Sequence, residues 1–194
     1  TRCFVRRGFS ATRLSDIAHE AGLSKGGVYF HYPTKETIFH DILDSLSRSQ
    51  TERWTFEPSL GQPADRALAG LVGAHLRTLQ DDPEGTRLQN LLVAMSVQDA
   101  VVRSKLEEVL GVMRRLYRGV LQRGIEEGVF LPDDADTLAV SVLAYVNGIA
   151  ALCVLDPAGR LPLAPEQAAQ TVLRMVKSHR RASAVEFGNG PATN

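Results

Sequence analysis

The chain has 194 residues, 44% hydrophobic and 23% charged, which excludes wholesale disorder and fibrous repeats and suits one compact body or a small head on a larger one. Lys+Arg and Asp+Glu both total 22, so the net charge is zero; a histone-like polycation is excluded, a local basic face is not. Cys3 and Cys153 stand far apart, giving neither a disulfide framework nor a paired-cysteine metal site, and they point to a reducing, cytoplasmic compartment.

Residues 1–9 are charged and lack the apolar stretch of a secretion signal. Thr12 is placed to cap a helix whose apolar face is Leu14, Ile17, Ala18 and Ala21. Gly22 supplies a left-handed stop, Leu23 packs inward, and Ser24 caps a second short helix from Lys25 to Tyr32. Pro33 ends it, and Thr34 caps a third helix carrying Ile38, Phe39, Ile42, Leu43 and Leu46 at helical spacing. Pro58, Gly61 and Pro63 mark a loop, and Asp81-Asp82-Pro83 ends the following helix. Val102, Leu106, Val109, Leu110, Met113, Tyr117, Val120 and Leu121 stripe a long helix that stops near Gly128. Residues 138–155 carry no charge and approach bilayer-spanning length. Acidic flanks and Ser141, Tyr145, Asn147 and Gly148 favour a helix buried on most sides over a membrane span. Pro157, Gly159, Pro162 and Pro165 lead to a last helix striped by Ala169, Val172, Leu173 and Val176, and the tail from residue 182 reads as loose. No strand pattern emerges, so the fold class is all-α: a helix-turn-helix head over 1–45, a larger helical body over 46–181 and a tail over 182–194.

The charges divide along the same line. Residues 1–40 hold Arg2, Arg6, Arg7, Arg13, Lys25 and Lys35 against Asp16, Glu20 and Glu36, so the head is the face suited to a polyanion. Ala18 and Gly22 carry the small-residue spacing that lets two helices cross closely. Val28 is the inward residue of the second helix, and Lys25, Tyr29 and His31 point outward. Gly26 and Gly27 are poor helix formers whose benefit is close approach to a groove. Phe30 and Tyr32 fit either the core or a nucleic acid. Lys35, at a helix start, suits a phosphate clamp.

Gly8-Phe9-x-x-Thr12, followed by Asp16-Ile17-Ala18-x-x-Ala21-Gly22-Leu23-Ser24-Lys25-Gly26-x-Val28-Tyr29-x-His31-Tyr32-x-x-Lys35-Glu36, closely resembles the DNA-binding head of the TetR family of bacterial transcriptional regulators. The resemblance covers residues 8–43. It implies an all-helical homodimer that presents two heads to successive major grooves of operator DNA. By that resemblance Ser24, Lys25, Gly26, Tyr29 and His31 belong to the recognition element, and Thr12, Arg13 and Lys35 contact the DNA backbone. Lys25, Gly26, Gly27 and Phe30 are the expected base-edge neighbours. Two departures stand out: only residues 1–7 precede the Gly-Phe turn, and Tyr32 takes a position usually held by phenylalanine.

The same resemblance implies a body that binds a small-molecule effector and releases the operator. Pocket candidates by residue type are Trp54, Phe56, His75, Met95, Met113, Tyr117, Tyr145 and Asn147, of which His75 and the methionines also suit an ordinary core. The uncharged run needs cover from a second copy. Ala144, Gly148 and Ala151, with Ala169, Val172, Leu173 and Val176, are expected to form a four-helix dimer interface. Gly124-Ile125-Glu126-Glu127-Gly128-Val129-Phe130 resembles the family's boundary between two body helices. No H-E-x-x-H, G-x-S-x-G or P-loop pattern supports an enzyme, and no cofactor or metal is expected. A constitutive DNA-binding dimer without effector is the rival reading, favoured by a tightly filled body.

Overall fold

The computed structural model of the chain describes residues 1–54, 61–156 and 158–177, with backbone alone at 47 and 49–54. The described residues form helices joined by short turns, with no strand among them: α1 (Arg2–Ala11), α2 (Leu14–Glu20), α3 (Lys25–His31), α4 (Lys35–Trp54), α5 (Ala64–Asp81), α6 (Pro83–Met95), α7 (Ala100–Glu126), α8 (Ala135–Cys153) and α9 (Pro165–Lys177).

Local chemistry accounts for the breaks. α1 kinks at Gly8, whose φ of 75° suits only a residue without a Cβ. Gly22, at φ 66°, ends α2. There the Leu23 N–H donates to the Ala18 carbonyl at 2.9 Å and the Gly22 N–H to His19 at 3.1 Å, the paired bonds of a Schellman stop. Asp82, Asp99 and Asp134 cap α6, α7 and α8, each accepting backbone N–H groups of the first turn. After α7, the Val129 and Phe130 N–H groups both return to the Gly124 carbonyl, and the Phe130 ring fills the space a Cβ at Gly124 would occupy. That fit explains the glycine at the end of the long helix, and the segment does mark the boundary between α7 and α8.

Two cores result. In the head, Phe4, Phe9 and Phe39 bring their rings within 4.9 to 5.5 Å of one another. Leu14, Ala18 and Val28 pack against the same cluster, which continues into Leu88, Leu92 and Val102 of the body. Fully burying a ring such as Phe4 or Phe39 contributes about 1.5–3 kcal/mol. The body core joins Leu68, Val72 and Leu76 of α5 to Tyr117 and Leu121 of α7, Val142 and Val146 of α8, and Val172 and Val176 of α9. α4 runs unbroken across residue 45, so head and body share a helix rather than a linker. α8 is long and apolar enough to cross a membrane by length and composition. Its Ala139, Val142, Val146 and Ile149 are instead spent on the core formed with α5 and α7.

Candidate nucleic-acid interface and ligand pocket

α3 stands on the head with one side chain down. Val28 is 5% exposed, whereas Tyr29 is 53% and Phe30 85% exposed. Lys25, Gly26, Gly27 and His31 are exposed as well, so the glycine-bearing segment faces outward and Phe30 takes no part in the core. Ser24 caps the helix by accepting the Gly27 N–H at 3.1 Å. Tyr32 is half-buried, and the Asp41 carboxylate that accepts its hydroxyl raises its pKa. Beside α3, Arg13 precedes α2 with its backbone N–H held at 3.0 Å by the Asp16 carboxylate. That bond first, and the guanidinium of Arg7 after it, keep the Asp16 carboxyl below its usual range. The side chains of Arg6, Arg13 and Lys25 are exposed and enter no ion pair among the described residues, leaving positive charge on the head.

Three expectations are corrected. Thr12 does not cap α2: it is 1% exposed, and its hydroxyl donates inward to the carbonyls of Gly8 at 2.7 Å and Cys3 at 3.1 Å. That position removes its side chain from the DNA-facing surface. Leu23 does not pack beneath α3, because the Schellman turn carries it outward to 60% exposure. Lys35 is not a free clamp: its ammonium donates to the carbonyls of Phe9 at 2.8 Å, Ser10 at 3.1 Å and Thr12 at 3.1 Å, and sits 4.6 Å from the Phe9 ring centre. A cation at the exposed carbonyl end of a helix is favourable without any phosphate.

In the body, α4, α5, α6, α7 and α8 surround an open-mouthed pocket with a cavity volume of about 100 Å³. Its walls are apolar, with Leu43 and Leu46 from α4, Leu79, Leu92, Leu106 and Met113 among them. Of the sequence candidates, Met113, Asn147 and His75 line it. Tyr117 does not; it is fully buried, and its hydroxyl lies 3.3 Å from His75 Nδ1. Burial lowers the His75 pKa to about 4 and raises that of Tyr117. Met95 packs on the head-side cluster, and Tyr145 on the body core, where its hydroxyl has no hydrogen-bond partner among the described residues. Phe56 and the Trp54 side chain lie outside the described residues.

Sequence reading missed the pocket's other polar groups. Gln89 donates to the Asn147 Oδ1 at 3.2 Å, while Asn147 donates to the Leu143 carbonyl at 2.9 Å. Asp82 spends its carboxylate on the Gly85 N–H. Lys105 sits 3.0 Å from Asp44 of α4 and 3.6 Å from Glu108. An amide at 89 spaced from leucines at 88, 91 and 92 was the available signal, but it does not say which pocket the amide faces.

The expected dimer residues separate. Ala144, Gly148 and Ala151 are exposed along α8, with Val140 48% and Leu152 53% exposed nearby. Ala169, Val172 and Val176 are instead buried in their own chain's body core, and Leu173 packs against the same core, so this face of α9 is not available to a second copy. The apolar stripe of α9 is satisfied by α5.

The family model for bacterial regulatory proteins of the tetR family matches residues 1–42, and that for the BetI-type transcriptional repressor C-terminal domain matches residues 63–181. The chain is 42% identical to the HTH-type transcriptional regulator TtgR of Pseudomonas putida over 80% of its own length and 77% of that protein. It is 31% identical to the HTH-type transcriptional repressor KstR2 of Mycobacterium tuberculosis over 67% of its length and 64% of that protein. A transcriptional regulator from Saccharomonospora viridis, solved with choline, superposes with a TM-score of 0.74 at 23% identity, covering 88% of each chain, a likeness of fold. These relatives are regulators rather than enzymes. With its head and its body both matched, the chain belongs to the TetR family of bacterial transcriptional regulators.

Proposed function

We propose that the chain is a cytoplasmic, homodimeric repressor that leaves its operator when a small molecule fills the body pocket. The observation that carries this reading is the course of α4. Its first turn grips the end of α1 through Lys35, and its third and fourth turns supply Leu43 and Leu46 to the pocket wall. A molecule that pushes on those leucines therefore displaces the helix that holds the head. The pocket also favours this reading over a constitutive dimer, which has no need of such a space.

The lining suits a neutral, mainly apolar molecule with one or two hydrogen-bonding groups. Asp82 and Lys105, the charged lining residues, are already engaged by Gly85, Asp44 and Glu108. His75 is held neutral by burial. A charged ligand would lose its hydration without gaining a free counter-charge.

The dimer is assigned to the exposed stripe of α8, from Val140 through Ala144 and Gly148 to Leu152, whose small residues allow a second copy to approach closely. The test is reciprocity. A neutral probe that raises the melting temperature through the pocket is expected to weaken operator binding about 5- to 150-fold. Unchanged operator affinity at saturating probe would contradict the switch.

A further inference from the structure

We propose that Phe30 reads thymine C5-methyl groups in the major groove, and that Gly26 is the gap that lets it reach them. The inference rests on the operator-binding reading above and adds what the helix detects.

The geometry begins at Val28. Successive residues of a helix turn by about 100°, so Gly26 and Phe30, two before and two after Val28, both lie about 160° from it. They form the ridge of α3 farthest from the core, one turn apart. Phe30 is the most exposed large hydrophobic side chain among the described residues. Its ring meets its neighbour His31 edge-on, with 5.1 Å between centroids.

Gly26 has no internal reason to be glycine. Its backbone is helical, and a Cβ built there would meet nothing within 4 Å. Gly27 differs, since a Cβ there would press on the capping Ser24 Oγ at 3.2 Å. Gly26 stands in the first turn of α3, where glycine costs less than the about 1 kcal/mol it costs inside a helix, yet nothing within the fold requires it, so the missing side chain at 26 answers to something outside the fold. On this ridge, that is a surface the helix must approach closely.

The chemistry of Phe30 then narrows what it can read. It has no donor or acceptor and is blind to the hydrogen-bond pattern of base edges. The apolar feature those edges present in the major groove is the thymine methyl. Lys25, next to Gly26 on α3, is exposed and enters no ion pair among the described residues, so its ammonium suits a phosphate that would hold the ring in register.

The experiment uses the full chain and a duplex enriched from random DNA. Each thymine of the duplex is replaced in turn by deoxyuridine, which removes the methyl and keeps the pairing. Binding is followed by fluorescence anisotropy for the natural chain and for Phe30→Ala. The proposal expects a loss of about fourfold for each methyl the ring covers, at one or two thymines per half-site. Phe30→Ala should show no further loss at those thymines. Deoxyuridine duplexes that bind the natural chain as tightly as the parent would overturn it, as they would if Phe30 wedges between base steps. So would a deoxyuridine penalty that persists in Phe30→Ala. Failure to enrich any duplex would instead overturn the operator-binding reading, and the inference with it.

Discussion

The Lys35 ammonium donates to the Phe9 carbonyl at 2.8 Å across 26 residues of sequence, tying the first turn of α4 to the end of α1. With Ser10 and Thr12 accepting from the same nitrogen, Lys35 holds the head to the helix that reaches the pocket. Lys35→Ala should lower stability by about 1–3 kcal/mol in urea unfolding. At temperatures where it remains folded, its operator binding should keep the natural salt dependence. A salt slope reduced by about 1 would return Lys35 to a phosphate contact.

Gly26→Ala separates folding from recognition. The substitution meets no internal obstacle and improves helix propensity in the first turn of α3, so stability should be unchanged or rise by less than about 1 kcal/mol. Operator affinity should fall at least tenfold, because the added methyl stands on the ridge that enters the groove. Unaltered affinity would remove Gly26 from the interface.

How much of this was legible in sequence depends on the range of the signal. The head motif is local: Gly22 needs a positive φ, Ser24 caps its own helix, and Ala18 and Val28 sit where the spacing puts the core. Leu23 misled because hydrophobicity predicts burial only on average, and the turn geometry decided otherwise. Lys35 misled because a helix-end ammonium suits a phosphate or a row of carbonyls equally, and only the fold brings the carbonyls of α1 within reach. The helical spacing of Ala169, Val172 and Val176 marks an apolar stripe, but periodicity does not name the covering surface, which is their own chain's core and not a second copy. Gln89 and Lys105 entered the pocket through tertiary packing that no local pattern encodes.

The buried His75 makes stability depend on pH with a defined sign. Its pKa falls from an ordinary 6.5 to about 4. As pH drops through that window, the unfolded chain takes up a proton that the folded chain refuses, so stability is complete above about pH 6.5 and declines toward about pH 4. The decline from this group amounts to at most about 3 kcal/mol. Comparing urea midpoints of the natural chain and His75→Gln between these limits should show a shallower slope for the variant. Parallel slopes would mean that the imidazole is not held neutral.

Gly148→Glu places a charge in the exposed stripe of α8 without touching the core, since a Cβ at Gly148 meets nothing within 4 Å. The variant should fold, sediment as a monomer and lose about 100-fold or more in operator affinity, because two linked heads bind far more tightly than one. A variant that remains dimeric would move the interface elsewhere.

The central claim, that paired α3 helices read adjacent major grooves, is tested most directly by selecting bound sequences from random duplex DNA with the natural chain. The account predicts inverted half-sites whose centres lie about 10 base pairs or a multiple of that apart. Single, unpaired sites, or no enrichment at all, would contradict it.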